Sequence, residues 1–305
     1  MYLFMAKKEW EAKQINKKIH ALEQSHILIL IPQGLGDILY FCSYIKEYRR
    51  LHAGKKIALI VTKMHFLNLI MLYKEFFDAV LYIDINLFNK VDDSKFIYYE
   101  PWIYNPDNPQ EHLITAVKQG MGINMNVIPY YPTIYISKYE KIRIRKLIPK
   151  PGKTILISPE AVSCSVDITE SEWIYLADIL EKKGFCVYFN CENRAMYEKY
   201  PKLFLPLQET LVFTHYAGYF IGIRSGLCDV VAAFSDCKQI IIYPHNKKKG
   251  AFPSIKNYDR NPNLQYMEYC SLKKAFPDRI ITEFICKRSL FDLIEREFES
   301  GKDIS

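Results

Sequence analysis

Short apolar runs rich in β-branched residues alternate with amphipathic stretches along almost the whole chain. Four runs in the first half have the composition of buried strands: 26–31, 56–62, 79–84 and 95–100. Helical patterns separate or follow them at 37–51, 64–77 and 111–120. Such alternation predicts parallel strands joined by helices, because each helix returns the chain to the edge where the next strand begins. The expected fold class is therefore α/β.

The alternation pauses around residues 135–153, where the chain becomes basic and contains prolines, and then resumes. Four further strands are predicted at 154–159, 185–191, 219–224 and 239–244. Thr169 and Glu172 have the spacing of a capping box that begins a helix, and Gly184 is placed to end it. Two more helices are predicted at 207–217 and from 227 on.

A chain of 305 residues is long enough for two domains of ordinary size. A boundary near residue 145 predicts an N-terminal domain over 1–145 and a C-terminal domain over 146–305, with the last helix packing back on the first domain. Ligands of open α/β sheets bind outside the carboxyl ends of the strands. We therefore expect two Rossmann-like domains that face a cleft, with the functional site in that cleft.

The net charge of +7 suits an anionic small molecule or an anionic membrane surface as partner. Nucleic acid is not expected, because the lysines are scattered and no recognition motif occurs. The basic runs KIRIRK (141–146) and NKKKG (246–250) are interpreted as solvated faces and loops.

The eight cysteines form no C-x-x-C pair and no histidine cluster accompanies them, so a zinc site is not expected. Several lie in apolar runs, where a free cysteine behaves as a small apolar residue. This usage indicates a reducing compartment, and we expect a cytoplasmic location.

Residues 1–24 have the pattern of a basic amphipathic helix rather than that of a signal peptide, because their charges follow the apolar residues. No apolar run approaches the ~20 residues of a membrane span. The helix either packs on the protein's own surface or lies on a membrane. The second alternative adds peripheral contact with an anionic membrane, at its inner face, to the expected location.

The stretch LILIPQGLGDILYF turns from a predicted strand into a predicted helix and carries Gly34, Gly36 and Asp37 at the turn. The glycines permit positive φ angles and the close approach of a ligand to the backbone. Asp37 is a candidate catalytic carboxylate, although an acid in the first turn of a helix also interacts favourably with the macrodipole. The third glycine and the ribose-binding acid of a dinucleotide site are absent.

A second corner of this kind lies in YFIGIRSGLCDVVAAF, where a strand ends at Arg224 and Ser225-Gly226 form the turn. The N–H groups of Gly226, Leu227 and Cys228 would lie at a helix N-terminus, which binds anions. Arg224 adds a guanidinium suited to phosphate, and Asp229 falls in the first turn of the helix. Simple capping of the helix by the Ser225 side chain is the alternative.

Two other strand ends place polar residues at the same edge of the second sheet. The group consists of Glu160, Ser163, Ser165, Tyr243 and His245. The first three are candidate contacts to the donor, and Tyr243 with its neighbours is placed to pack on a nucleotide base. Ordinary loop polarity explains the same residues equally well.

Three segments follow one another in an order shared with one family. The first, Gly36-Asp37-Ile38-Leu39, matches a GDxL motif near the N-terminus. The second, within 155–184, matches W…LA…L…G, and the third, LQETLVFTHYAGYFIGIRSGLCDVVAA, matches L.E…A..FIG.DSG..HLAAA. The chain thus resembles the ADP-heptose:lipopolysaccharide heptosyltransferases, which have the two-domain GT-B fold. The resemblance covers roughly residues 26–245 and is thin between 85 and 150.

The resemblance implies sugar transfer from a nucleotide-diphosphate-sugar to a cell-surface glycan or a lipid-linked glycan, with inversion at the sugar. By this resemblance, Asp37 deprotonates the acceptor hydroxyl. The helix start at 225–228 neutralises the leaving diphosphate without a metal ion, and no other cofactor is implied. No D-x-D motif follows a predicted strand in the first half, and the acids of VDDSK (91–95) are interpreted as a solvated loop.

Two residues depart from the family pattern. Arg224 stands where the family has Asp, and Asp229 stands where it has His. Because both positions are near the donor by resemblance, they leave the sugar and the nucleotide open. The string GIRSG also resembles fucosyltransferases, which use an arginine on the donor diphosphate. We expect Arg224 to contact the diphosphate rather than to pair internally with Asp229.

Three other functions stay open at this point. A nucleotide-sugar epimerase of the same architecture would act without an acceptor. A non-catalytic nucleotide-sugar-binding protein is compatible with the departures at Arg224 and Asp229. A Rossmann dehydrogenase is disfavoured by the incomplete glycine motif.

Overall fold

The computed structural model describes residues 2–32, 34–99, 113–161, 166, 168–193, 195–243, 271–286 and 290–299. These residues form two compact units. Described residues up to 99, together with 113–133, make the first unit, and those from 134 onward make the second. The domain boundary near residue 145 stays a prediction, because a division by contacts does not test which segment folds on its own.

The first unit contains a four-stranded parallel sheet. Its strands are β1 His26–Ile31, β2 Lys56–Val61, β3 Ala79–Tyr82 and β4 Phe96–Tyr98, in the order β3-β2-β1-β4. Its helices are α1 Tyr2–Glu23, α2 Leu35–Leu51, α3 Leu67–Ile70 and α4 Leu113–Gly120. Short 3-10 turns, Met64–Phe66 and Met71–Phe76, flank α3, where the sequence predicts one continuous helix. The expectation of parallel strands joined by helices is confirmed for this unit.

Helix α1 packs on the sheet of the first unit. Ala12 and Ile19 are buried, and Ile19 belongs to a core cluster shared with β1 and β2. The Asn16 amide donates to the carbonyl of Lys90 at 3.0 Å, and its oxygen accepts the N–H of Asp92 at 2.9 Å. The described part of α1 therefore uses its apolar side on the protein's own core. No helix in the described ranges has the length and hydropathy that crossing a bilayer requires.

The second unit contains a five-stranded parallel sheet. Its strands are β5 Thr154–Ser158, β6 Cys186–Phe189, β7 Gly218–Ile223, β8 Lys238–Tyr243 and β9 Ile281–Ile285, in the order β6-β5-β7-β8-β9. Its helices are α5 Lys138–Lys146, α6 Glu170–Lys182, α7 Leu207–Ala217, α8 Gly226–Phe234, α9 Leu272–Ala275 and α10 Leu290–Glu299. The predicted capping box is present at α6, where Thr169 and Glu172 exchange side-chain and backbone hydrogen bonds.

The last helix, α10, packs within the second unit. Leu290 and Ile294 are part of the core that α6 and the sheet share, and Lys183 forms ion pairs with Glu295 and Glu299 at 3.5 and 3.1 Å. The apolar side of this helix thus contributes to the core of the unit to which it is joined. Packing of the helix against the first domain as well stays a prediction.

All the cysteines in the described ranges are free thiols, namely 42, 186, 191, 228, 237 and 286. Burial raises the pKa of Cys237 to about 12 and that of Cys228 to about 11. Protonated buried thiols of this kind are chemically inert. The four buried cysteines, 42, 191, 228 and 237, act as small core residues, as an apolar sequence context predicts.

Gln239 is a buried polar residue of the second sheet whose side-chain amide lacks hydrogen-bond partners among the described residues. It lies in β8 with 1% of its surface exposed. A buried polar group without a hydrogen bond costs roughly 1–3 kcal/mol. We therefore expect Gln239→Met, which keeps the length of the side chain, to raise the free energy of unfolding by about that amount.

Urea denaturation measures this difference, and Gln14→Met provides the control. Gln14 is exposed on α1, so the same exchange there should change the free energy of unfolding by less than about 0.5 kcal/mol. A loss of stability in Gln239→Met would contradict the interpretation, because it would mean that the amide is satisfied in solution.

Candidate functional site

Each sheet has one place where successive connections leave in opposite directions. In the first sheet this place is between β1 and β4, and in the second it is between β5 and β7. Ligands of open α/β sheets bind at such switch points, outside the carboxyl ends of the strands. The candidate residues Gly34, Gly36 and Asp37 follow β1, Glu160 follows β5 and Ser225 follows β7. These candidates therefore follow strands that flank the two switch points, and their roles stay predictions.

Asp37 lies in the first turn of α2 and is mostly buried, with 7% of its surface exposed. Its Oδ2 accepts the N–H of Gly34 at 2.8 Å. This bond holds the carboxylate against the turn that precedes the helix. Asp37 therefore has the helix-start role of the simpler interpretation, and its orientation is fixed by the same contact.

Gly34 does not use the positive φ that glycine permits, since its φ is −105° and its ψ is 171°. A Cβ at position 34 would lie 3.1 Å from Oδ2 of Asp37, which is tighter than an ordinary contact. The glycine therefore provides space for the bond between the carboxylate and the backbone. Gly36 is buried within the first turn of α2.

Lys63 and His65 lie at the same edge of the first sheet and were missed in the sequence. They follow β2, whose end is linked to that of β1 by a hydrogen bond from the Thr62 hydroxyl to the Pro32 carbonyl at 3.3 Å. Partial burial, and then the charge of Lys63, lower the pKa of His65. A neutral imidazole at this edge of the sheet can donate to, or accept from, a hydroxyl group. Their position directly after a predicted strand was the available signal.

Arg224 and Asp229 form a buried, bidentate ion pair behind the start of α8. Nη1 of Arg224 lies 2.7 Å from Oδ2 of Asp229, and Nη2 lies 2.8 Å from Oδ1. Nη1 also donates to the carbonyl of Ser225 at 2.8 Å. Both terminal nitrogens of the guanidinium are thus directed at the protein. The expectation that Arg224 contacts a diphosphate instead of Asp229 is corrected by this geometry.

Ser225 precedes α8 as its N-cap residue, but its side chain accepts no hydrogen bond from a backbone N–H of the helix. Its hydroxyl lies 3.6 Å from Sγ of Cys228, and its carbonyl accepts the N–H of Cys228 at 3.0 Å. The first N–H groups of a helix have no partner within the helix. The alternative of simple capping by the Ser225 side chain is therefore not observed, and Gly226 and Leu227 begin a helix whose N-terminus suits an anion.

Glu160 is exposed just after β5, the strand that neighbours β7. The Cys191 thiol lies 3.7 Å from its Oε1, within the range of a weak S–H hydrogen bond. Burial, and then the charge of Glu160, raise the pKa of Cys191. Glu160 stays a candidate contact to the donor. Ser163, Ser165 and His245 lie outside the described residues.

Tyr243 is fully buried at the end of β8 and is not placed to pack on a ligand. Its hydroxyl donates to Oε1 of Glu283 at 2.7 Å and accepts the N–H of Leu272 at 3.2 Å. The prediction that it contacts a nucleotide base is corrected by these contacts. Because successive side chains of a strand point to opposite faces of the sheet, Tyr243 lies on the same face as Gln239.

Solved glycosyltransferase structures resemble this one. The glycosyl transferase family 9 protein of Veillonella parvula has a TM-score of 0.52 and 12% identity, covering 91% of this chain and 92% of its own. E. coli heptosyltransferase WaaC with ADP-2-deoxy-2-fluoro heptose has a TM-score of 0.52 and 11% identity, covering 90% of this chain and 99% of its own. This chain has a glycosyltransferase fold. The predicted class, two Rossmann-like α/β units of the GT-B type, is confirmed.

The dodecameric iron-containing heptosyltransferase TibC of enterotoxigenic E. coli is another match, with a TM-score of 0.50 and 14% identity in complex with ADP-D-beta-D-heptose. This chain spans 58% of the length of TibC, and 72% of this chain is covered. No family model matches the sequence, and no curated protein sequence does. The resemblance seen in the sequence is therefore confirmed at the level of the glycosyltransferase fold.

Within this glycosyltransferase fold, the two departures from the heptosyltransferase pattern are not independent. Arg224 and Asp229, the two residues at which the sequence departs from that pattern, are each other's partner. Their ion pair joins the end of the strand to the first turn of α8. The departures consequently leave the start of the helix in place.

Proposed function

We propose that this protein is a glycosyltransferase that moves a sugar from a nucleotide-diphosphate-sugar to a cell-surface glycan or a lipid-linked glycan. One observation carries the proposal. Each sheet has a polar strand-to-helix corner at its switch point, and the two corners have complementary chemistry. The first holds a carboxylate oriented by a backbone N–H, and the second offers an uncapped helix start.

The donor side of the proposed reaction uses the second unit. The diphosphate binds at the N-terminus of α8, where the N–H groups of Gly226 and Leu227 and the hydroxyl of Ser225 donate to its oxygens. The pair of Arg224 and Asp229 positions this helix start from behind. Glu160, at the neighbouring strand end, is proposed to accept hydrogen bonds from sugar or ribose hydroxyls. No metal ion takes part in this scheme.

The acceptor side uses the first unit. Asp37 takes the proton from the acceptor hydroxyl while that oxygen bonds to the anomeric carbon and the bond from this carbon to the diphosphate oxygen breaks. Attack from the opposite face inverts the configuration of the sugar. The proposed location is the cytoplasm, with peripheral contact to an anionic membrane.

Product analysis separates transfer from the alternatives. With a donor and an acceptor glycan, a transferase releases nucleoside diphosphate and lengthened glycan in equal amounts, and it does so in EDTA. An epimerase converts the donor without an acceptor, and a binding protein converts nothing. Strict dependence on added Mn²⁺ or Mg²⁺ would contradict the proposed metal-free neutralisation of the diphosphate.

Thermal unfolding in the presence of nucleoside diphosphates and nucleotide-sugars identifies the donor. A ligand present at 100 times its Kd stabilises the folded state by about 2.7 kcal/mol. ADP and ADP-heptose come first in the series, because TibC is described in complex with ADP-D-beta-D-heptose and WaaC with ADP-2-deoxy-2-fluoro heptose. A free nucleoside, which lacks the phosphates, should stabilise far less. Equal stabilisation by nucleoside and diphosphate would contradict the role of α8.

A further inference from the structure

Helix α5 presents an outward side on which apolar and basic residues alternate. We define the α5 outer face as Lys138, Tyr139, Ile142 and Lys146 of the helix, together with Tyr135, which lies three residues before it. Tyr135, Tyr139 and Ile142 are exposed over 86%, 76% and 46% of their surfaces. Lys138 and Lys146 are also exposed, and neither forms an ion pair with any residue in the described ranges. Large apolar side chains left in water next to unpaired cations indicate a surface that contacts a partner.

The opposite side of α5 is anchored, so the outer face cannot turn inward. Ile144 is fully buried, Arg143 forms an ion pair with Glu209, and the Arg145 guanidinium lies 4.4 Å from the centre of the Tyr216 ring. Ser137 and Glu140 form a capping box at the start of the helix. These contacts hold α5 against α7 in a single rotational setting.

Helix α1 provides the contrast within the same chain. It is also basic and amphipathic, but Ala12 and Ile19 are buried in the core of the first unit. Its apolar side is thus already occupied. In α5 the apolar residues and the lysines share the side that faces solvent. Long lysine side chains can extend to headgroups while the neighbouring apolar residues contact the boundary of the acyl chains.

We propose that the α5 outer face lies on an anionic lipid bilayer. Its lysines complement the negative headgroups, and its tyrosines suit the depth at which a ring is apolar and a hydroxyl is wet. This assigns Ile142 and Lys146 of the basic run at 141–146 to a partner, whereas Arg143 and Arg145 contact the protein itself. The inference locates the membrane contact of the proposed function, but it does not require sugar transfer to occur.

Co-sedimentation with vesicles tests the proposal directly. The full chain should bind vesicles that contain phosphatidylglycerol, and bind vesicles of phosphatidylcholine alone far more weakly. Each lysine near an anionic surface contributes about fivefold in affinity, so Lys138→Gln with Lys146→Gln should weaken binding roughly 30-fold. Lys17→Gln with Lys18→Gln on α1 is the matched control, because it removes the same charge from two exposed positions of another helix.

A second variant separates insertion from charge. Tyr139→Ser with Ile142→Ser leaves the charge unchanged, and we expect it to weaken vesicle binding roughly tenfold. Circular dichroism checks that both variants keep the helical content of the parent. Any of three results overturns the proposal: phosphatidylglycerol does not increase vesicle binding, the two lysine pairs weaken binding equally, or the Tyr139 and Ile142 exchanges leave binding unchanged. Transfer to a soluble acceptor, measured in parallel, shows whether the proposed function fails separately.

Discussion

Asp37→Asn should lower the turnover of sugar transfer by roughly 10²–10⁴-fold, because an amide cannot take the proton from the acceptor hydroxyl. The exchange keeps the size of the side chain. The amide oxygen can still accept the N–H of Gly34, which the carboxylate accepts at 2.8 Å in this structure. Donor affinity, measured by titration without acceptor, should therefore stay nearly unchanged. Single-turnover experiments at saturating donor measure the expected loss.

Asp292→Asn is the matched control for this experiment. Asp292 lies in the first turn of α10 and is exposed, so its exchange removes the same interaction with a helix dipole at a site without chemistry. Turnover should be unaffected by this variant. Near-normal turnover in Asp37→Asn would return Asp37 to a purely structural role at the start of α2.

Arg224→Ala should lower the free energy of unfolding by about 3–5 kcal/mol, since it leaves the buried carboxylate of Asp229 without its partner. The two residues are joined by hydrogen bonds of 2.7 and 2.8 Å, and both are largely buried. Urea denaturation measures the loss. Donor affinity, measured below the unfolding transition, should fall only if the loss of the pair displaces the start of α8.

Replacing both partners shows whether the loss of stability comes from an unpaired buried carboxylate or from the absence of the arginine charge itself. Arg224→Met combined with Asp229→Leu removes the pair together, so the double variant should be much more stable than Arg224→Ala. It should also bind a nucleotide-sugar, because the N–H groups of α8 are backbone atoms. The Arg224→Ala variant could instead keep normal stability and lose only its affinity for diphosphates. That result would show that the guanidinium contacts the ligand.

The sequence predicted the parallel sheets well because their signal is local. Strands β1 and β5 are continuous apolar runs, as expected for strands buried on both faces, and the capping box of Thr169 and Glu172 is a contact between near neighbours. The strand order was not predicted. It depends on which runs pair across long separations, and periodicity carries no information on that choice.

The candidate site shows the same division. The corners at Asp37 and Ser225 could be found because a strand signal is followed directly by a helix signal. The roles of Arg224 and Tyr243 could not, because they depend on partners whose geometry the sequence does not contain. Tyr243 binds Glu283, forty positions away, and Arg224 had two chemically equivalent partners in prospect. In both cases the side chain forms hydrogen bonds with a partner inside the protein.

The pairing of Arg224 with Asp229 has a consequence for the end of the catalytic cycle. The pair carries no net charge, so a nucleotide at the start of α8 meets fixed backbone dipoles rather than a mobile cation. In the proposed reaction, the departing nucleoside diphosphate therefore breaks no ion pair with Arg224 when it leaves. Its release is governed by exchange of backbone hydrogen bonds for water, which is a quick and weakly salt-dependent event compared with separating opposite charges.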